Sequence, residues 1–379
     1  MNPLSEEAGE VASWLARVAA LVPAIQEARD TVEATRHLPP ALVARLRDAD
    51  LYRLWVPRSL GGHEVPPHVM LRVVEEIARH DGSVAWSMMA GANSALLAAR
   101  LPEAGGREVF GDPLTVVAGS LHNGGTAVRV DGGYRLTGRW RLASGCAEAS
   151  WLICSASVTD EPGTGSPHIF FVPAAESEVI HEWDAVGLRG SGSNGFRVAD
   201  VFVPERLHIT PGAELVVDGP LYRSSMAHFI NPPLGALALG IAEDAIGCFH
   251  DLAQKKTSRG SDLTLSERGA VQEKVGTARS LVSSARAYLH AATADLWSAA
   301  VAGTDIPHEL TAEIMLSTAT AAKNAAEAVR IVYTAAGSSS VVESSRLARC
   351  FRDVNVVNHH DAASLQVFER VGRYALTGR

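Results

Sequence analysis

Three blocks of hydrophobic patterning follow one another along the chain. Residues 1 to about 112 keep the 3.6-residue period of amphipathic helices. The stretch 11–28 is rich in Ala, Leu and Val at helical spacing. Pro39-Pro40 then precede ALVARLRDADLYRLW, which puts proline at the start of a second helix running to Trp55. VPRSLGGHEVPP (56–67) reads as a turn-rich loop. HVMLRVVEEIARHDGSVAWSMMAGANSALLAARL predicts one or two further helices, with Asp81 or Ser83 as the N-cap between them. From about 113 to 215 the period drops to two, with Gly and Pro punctuation, and AVRV-DGG-YRLTG is a β-hairpin. From 216 the helical period returns. It predicts four long helices at 223–258, 264–302, 307–336 and 341–374, joined by short turns as in an antiparallel bundle. The predicted fold is therefore α+β: an N-terminal helical domain (1–112), a central β-domain (113–215) and a C-terminal four-helix bundle (216–379).

One stretch of the last predicted helix breaks its own pattern. On a wheel of 100° per residue, RLARCFRDVNVVNHHD (346–361) places Leu347, Cys350, Phe351, Val354 and Val357 on one stripe, continued by Leu365 and Phe368. Asn358 and Asp361 fall on that stripe too, and His360 lies at its edge. A polar group set into a buried stripe must be satisfied or used. The stretch is expected to close an active site.

Composition narrows the setting. Apolar residues make up 47% and charged residues 20% of the 379, as in soluble globular proteins. The net charge is −8 with no basic block, so nucleic acid and anionic membrane are not expected partners. The most apolar run (232–246) contains Glu243 and Asp244 and is too short and too charged to span a bilayer. The acidic N-terminus lacks the pattern of a signal peptide. Four cysteines without CxxC spacing read as reduced thiols in a cytoplasmic protein. No HxxxH or HExxH spacing occurs, so no metal is expected, and no GxSxG or Walker motif points to a hydrolase or NTPase.

Three motifs bear on chemistry. Gly190, Gly192 and Gly195 form a literal GxGxxG, but a strand rather than a helix follows it. It reads as a Gly-rich turn or as a loop lining a ligand pocket. In WRLASGCAEASW (140–151) a strand ends at Ser144-Gly145; this is either a plain turn with two packing tryptophans or a place where a planar ligand approaches the backbone. AAGSSSVVESS (335–345) is either a flexible connection or a backbone that closes on a phosphate or ring.

In this order, WRLASG, GLRGSGSN, VFVP and ARCFRDV resemble the acyl-CoA dehydrogenase superfamily along essentially the whole chain. The resemblance implies a β-barrel-like central domain, flavin bound between that domain and the bundle, and a homotetramer. Within the superfamily the chain is most similar to the group D flavin-dependent monooxygenases, the oxygenase halves of two-component systems. AGSLHNGG (118–125) stands where the dehydrogenases carry a TEP-type segment. Counted from Arg352-Asp353, their Tyr-Glu-Gly-Thr segment falls on His360-Asp361-Ala362-Ala363. The resemblance thus implies reduced flavin (FMN or FAD) supplied by a separate NAD(P)H:flavin reductase. With O₂ it would act through a C4a-hydroperoxide to hydroxylate a small aromatic, polyketide-like or amine substrate. It also implies roles: Ser144 hydrogen-bonding the flavin, His360 as acid/base, and Asp361 orienting it or acting as a second base. Trp86, Ser87, Ser120, Trp140 and Ser193 would line the flavin or substrate cavity, while Arg259, Gly337 and Ser338 would contact the flavin tail. The alternative is a dehydrogenase-type flavin desaturase of acyl thioesters with Asp361 as base.

Overall fold

The computed structural model describes residues 3–159, 167–257, 260 and 262–378. Five helices come first: α1 (Pro3–Thr35), α2 (Pro40–Asp48), α3 (Pro67–Ala78), α4 (Gly82–Ser94) and α5 (Glu103–Phe110). Proline opens both α2 and α3, where its missing N–H would have had no helical partner. The second helix stops well short of Trp55, because Asp50 takes a left-handed φ of 61° and the chain continues as a 3-10 turn. Asp81 is the N-cap of α4: its Oδ1 accepts from the N–H groups of Ser83 and Val84. Among the described residues, 8–35 form one stretch long and apolar enough to cross a membrane. Its Val18, Ile25 and Val32 are buried in this chain's own core.

Seven strands follow among the described residues: β1 (Val117–Val130), β2 (Gly133–Ala143), β3 (Trp151–Val158), β4 (His168–Pro173), β5 (Glu178–Ile180), β6 (Asn194–Pro204) and β7 (His208–Ile209). They form one mixed sheet in the order β5-β6-β2-β1-β3-β4-β7, in which only β1 and β3 are parallel. The predicted hairpin is β1–β2, closed by Val130 opposite Gly133. The GxGxxG segment is a turn leading into β6, so no dinucleotide-binding helix follows it. A Cβ at Gly190 would lie 2.0 Å from the Val32 side chain, which is how closely this turn docks on α1.

The remaining helices are α6 (Pro220–Arg223), α7 (Met226–Ile230), α8 (Pro232–Ala253), α9 (Gly269–Ala302), α10 (His308–Ala336), α11 (Arg346–Val357) and α12 (Gln366–Thr377). The bundle is α8, α9, α10 and α11. Two predicted helices are broken. The first yields short α6 and α7 before Pro232-Pro233 begins α8, since two consecutive prolines remove two donors and favour a helix start. The last is interrupted between α11 and α12 by a 3-10 turn at Asp361–Ala363. Leu347, Cys350, Val354 and Val357 are buried as the stripe requires, each apolar side chain contributing about 1.5–3 kcal/mol. Beyond Val357 the wheel no longer applies. His360 adopts extended angles and caps the turn, and Asp361 is exposed rather than part of a buried stripe.

Candidate active site

A cavity of about 630 Å³ opens where α4, the sheet, α7 and the α11–α12 turn meet, a size suited to a cofactor-sized or drug-sized ligand. One wall is a face of α4: Trp86, Ala90 and Asn93 recur at helical spacing. A second wall is β1, through Ala118, Gly119, Ser120 and His122. Gly119 has φ +150°, and a Cβ there would lie 2.4 Å from the Ile153 carbonyl oxygen, so only glycine fits this approach of β1 to β3. The outer wall is Met226, Ile230 and Leu234; the rim is His359, His360 and Asp361.

A chain of hydroxyls crosses the inner end. Ser144 lies just past β2, at a turn completed by Gly145 with φ +72°. Its Oγ accepts from Trp86 Nε1–H at 2.8 Å and lies 2.7 Å from Ser193 Oγ, which is 2.8 Å from Ser191 Oγ. If protons run from Ser191 to Ser193 to Ser144, the Ser144 proton is left to point into the cavity. Trp86 also meets His360 edge-on, with ring centroids 6.0 Å apart. His360 Nδ1 accepts from the N–H of Ala362 at 3.2 Å, so the neutral ring carries its proton on Nε2. The ring is exposed at the rim of the cavity, with protein packed against part of it. That desolvation lowers its pKa; Asp361 opposes the shift and His122 adds to it.

Partly buried ion pairs and one buried carboxylate fix these parts to one another. Arg346 reaches Asp81 at 3.6 Å and pairs closely with Asp244. Arg352 binds Glu33 of α1 at 2.9 Å. Asp353 Oδ1 accepts from the N–H of Leu188 at 2.6 Å, and Leu188 itself sits at a left-handed φ of 48°. Residues 346–353 thus tie α1, the α4 N-terminus and the turn bearing Ser191 and Ser193 to the bundle.

Trp86, Ser120, Ser144, Ser193, His360 and Asp361 all line the cavity. Trp140 does not. It stacks on Phe196 at 5.2 Å inside the sheet domain, and its Nε1–H donates to the Ser155 carbonyl, because alternation along β2 turns it into the core. Ser87 points away from the cavity too, buried near Gly145, where a Cβ would meet its Oγ at 3.1 Å. Gly337 and Ser338 lie elsewhere, in a turn after α10 that Lys256 holds through the Ala336 carbonyl (2.7 Å) and Ser339 Oγ (2.8 Å). Arg259 lies outside the described residues. Asn93, His122, Trp183 and His359 are lining residues that periodicity did not single out. Glycine and small residues on one wall, facing indole rings and the Ser144 hydroxyl, suit a planar, acceptor-bearing ring, and this lining fits flavin.

Fold and site together define a flavin-using oxidoreductase of acyl-CoA dehydrogenase architecture. The acyl-CoA dehydrogenase N-terminal domain family matches residues 10–109, and the acyl-CoA dehydrogenase C-terminal domain family matches residues 233–365. An indole-3-acetate monooxygenase from Pseudomonas putida is 30% identical over 326 residues, 86% of this chain and 84% of its own length. The flavin-dependent monooxygenase oxygenase subunit HsaA of Mycobacterium tuberculosis is 28% identical over 365 residues, 92% of this chain and 91% of its own. XiaF from Streptomyces sp., solved with FADH2 and glycerol, superposes with a TM-score of 0.91 at 27% identity, over 99% of this chain and 97% of its own. The chain belongs to this family and is a flavin-dependent monooxygenase.

Proposed function

We propose that this chain is the oxygenase component of a two-component system that hydroxylates a small aromatic substrate, with reduced flavin delivered by a separate NAD(P)H:flavin reductase. The observation that carries the reading is the Trp86–Ser144–Ser193 donor chain meeting His360 across one cavity. Reduced flavin, when bound, supplies the electrons and the place where O₂ is activated. Ser144 would hydrogen-bond that group through its free hydroxyl proton. His360 would hold its Nε2–H toward the cavity and stabilise negative charge developing on oxygen there. Leu97, Ile230 and Leu234 keep water from the reacting atoms. Names of relatives such as the FADH(2)-dependent resorcinol hydroxylase, oxygenase component, from Rhizobium support an aromatic substrate and a separate reductase. The family resemblance supports assembly as a homotetramer, and four cysteines free of disulfides support a reducing, cytoplasmic setting. The desaturase alternative needs Asp361 as a base over a buried substrate, and Asp361 sits exposed at the rim.

The test supplies chemically reduced flavin, ¹⁸O₂ and an aromatic substrate, and follows labelled product and hydrogen peroxide. Labelled product is expected from the wild type. His360→Ala is expected to keep consuming O₂ while product formation falls roughly 10²-fold and peroxide rises. Unchanged product formation in that variant removes His360 from the mechanism. Bleaching of bound oxidised flavin by an acyl-CoA, with no label incorporated, overturns the monooxygenase reading for this chain's own substrate.

A further inference from the structure

Two adjacent histidines line the rim of the cavity, and the backbone holds them in opposite tautomers. His359 Nδ1 lies 2.8 Å from the carbonyl oxygen of Asn355. A carbonyl oxygen only accepts, so Nδ1 carries the proton and the remaining nitrogen of the neutral ring, Nε2, is a bare lone pair. His360 is the reverse: Nδ1 accepts from Ala362 N–H and Nε2 carries the proton. Both contacts follow from the broken helix. Asn355 lies one turn back on α11, so its carbonyl is one of the last of that helix and has lost its own helical partner. Ala362 N–H is a first orphan donor of the next turn. The break therefore sets one acceptor and one donor side by side at the same opening.

The charge of the lining completes the picture. Among the described residues it contains one carboxylate, Asp361, and no Lys or Arg. A substrate entering as an anion meets a like charge and no fixed cation, so an aromatic substrate enters neutral. A neutral phenol or indole becomes a better nucleophile toward an electrophilic oxygen when its O–H or N–H proton is withdrawn.

We propose that His359 is the substrate-facing base of this enzyme and that its substrate is a neutral aromatic bearing an O–H or N–H donor. This rests on the oxygenase reading above. The step is a proton transfer only. One proton leaves the substrate heteroatom for Nε2 of His359, giving an imidazolium and an electron-rich ring; it returns to the same heteroatom of the product. His360 keeps the donor role, so the two histidines divide the work that a single residue would otherwise have to do in two protonation states.

The experiment measures equilibrium binding without turnover, on the full chain with reduced FMN under anaerobic conditions. The ligands are indole against N-methylindole and phenol against anisole, with indole-3-acetate as the anionic member. The wild type is expected to bind the donor-bearing member roughly tenfold more tightly than its methylated partner. Indole-3-acetate should bind more weakly than indole. In His359→Leu the preference should be near one, with product formation from phenol down roughly 10²-fold or more and partly restored by added imidazole. His359→Gln, whose amide oxygen can still accept, should keep part of the binding preference but not the rate. Equal affinity for methylated and unmethylated ligands in the wild type overturns the proposal, as does a Leu variant with the wild-type preference. Tighter binding of indole-3-acetate than of indole overturns the neutral-substrate claim. Label incorporation from ¹⁸O₂, measured separately, decides the oxygenase reading: its failure beside an intact donor preference removes that reading and leaves the binding assignment standing.

Discussion

Asp353 offers the most direct test of how the fold holds the site. Its carboxyl is buried, and burial pushes its pKa up to about 7, with Asp81 adding to the rise and the Leu188 N–H and Arg346 opposing it. The folded value lies above the ordinary 3.8, so the folded protein binds more protons than the unfolded one between those values. Stability from this group is fully present below about pH 4 and is lost as pH rises toward about 7. At about 1.4 kcal/mol per pH unit the whole window is worth on the order of 4 kcal/mol. Asp353→Asn keeps an oxygen to accept from Leu188 and cannot ionise. Its stability relative to the wild type should therefore improve by about 3 kcal/mol between pH 5 and pH 8, read as the difference in denaturant midpoint at each pH. Asp353→Ala leaves the Leu188 N–H buried without a partner, at about 1–3 kcal/mol. It also frees a left-handed residue that costs about 1 kcal/mol or more to hold. The turn packs tightly on α11, since a Cβ at Gly187 would lie 2.4 Å from the Arg352 carbonyl. Its relaxation should move Ser193 away from Ser144 and lower product formed per reduced flavin consumed, with peroxide making up the difference. An Ala variant with wild-type stability and coupling refutes this reasoning, and so does an Asn variant with the wild-type pH slope.

Two further outcomes are expected. Ser144→Ala should leave the Trp86 N–H unpaired and cost about 1 kcal/mol of stability, while product yield per O₂ consumed falls severalfold; yield at the wild-type level would show that this hydroxyl does not serve the flavin. His208 stacks on His168, 2.8 Å from nitrogen to nitrogen, and burial lowers its pKa with Glu205 opposing. Because the folded pKa is the lower one, the protein should lose stability as pH falls below about 6.5, by up to about 1.4 kcal/mol per pH unit. His208→Phe, which keeps a flat ring between Tyr134 and Phe170, should flatten that acid limb in a thermal melt; an unchanged limb would place the acid sensitivity elsewhere.

The same stretch shows where periodicity is informative and where it stops. The buried stripe of α11 was legible because Leu347, Cys350, Val354 and Val357 obey one angular rule set by helix geometry alone. Carried past Val357, that rule made Asp361 look like a carboxylate buried in a stripe. The helix ends there because His360 takes extended angles and accepts Ala362 N–H, a local competition a wheel does not represent. The β-domain failed in the same way on a smaller scale. Trp140 and Ser144 are close in sequence, but the strand ends at Ala143, so one faces the core and the other the cavity. Ser144 reaches Trp86 and Ser193 across 58 and 49 residues, so their meeting depends on packing that no local window holds. The family resemblance pointed to Ser144 and His360 as cavity residues because it encodes that packing indirectly. It did not point to His359, whose proposed role depends on which ring nitrogen the Asn355 carbonyl engages. A tautomer is fixed by one backbone carbonyl at one helix end, and a residue whose chemistry is set at that level becomes visible only when the break in the helix is located.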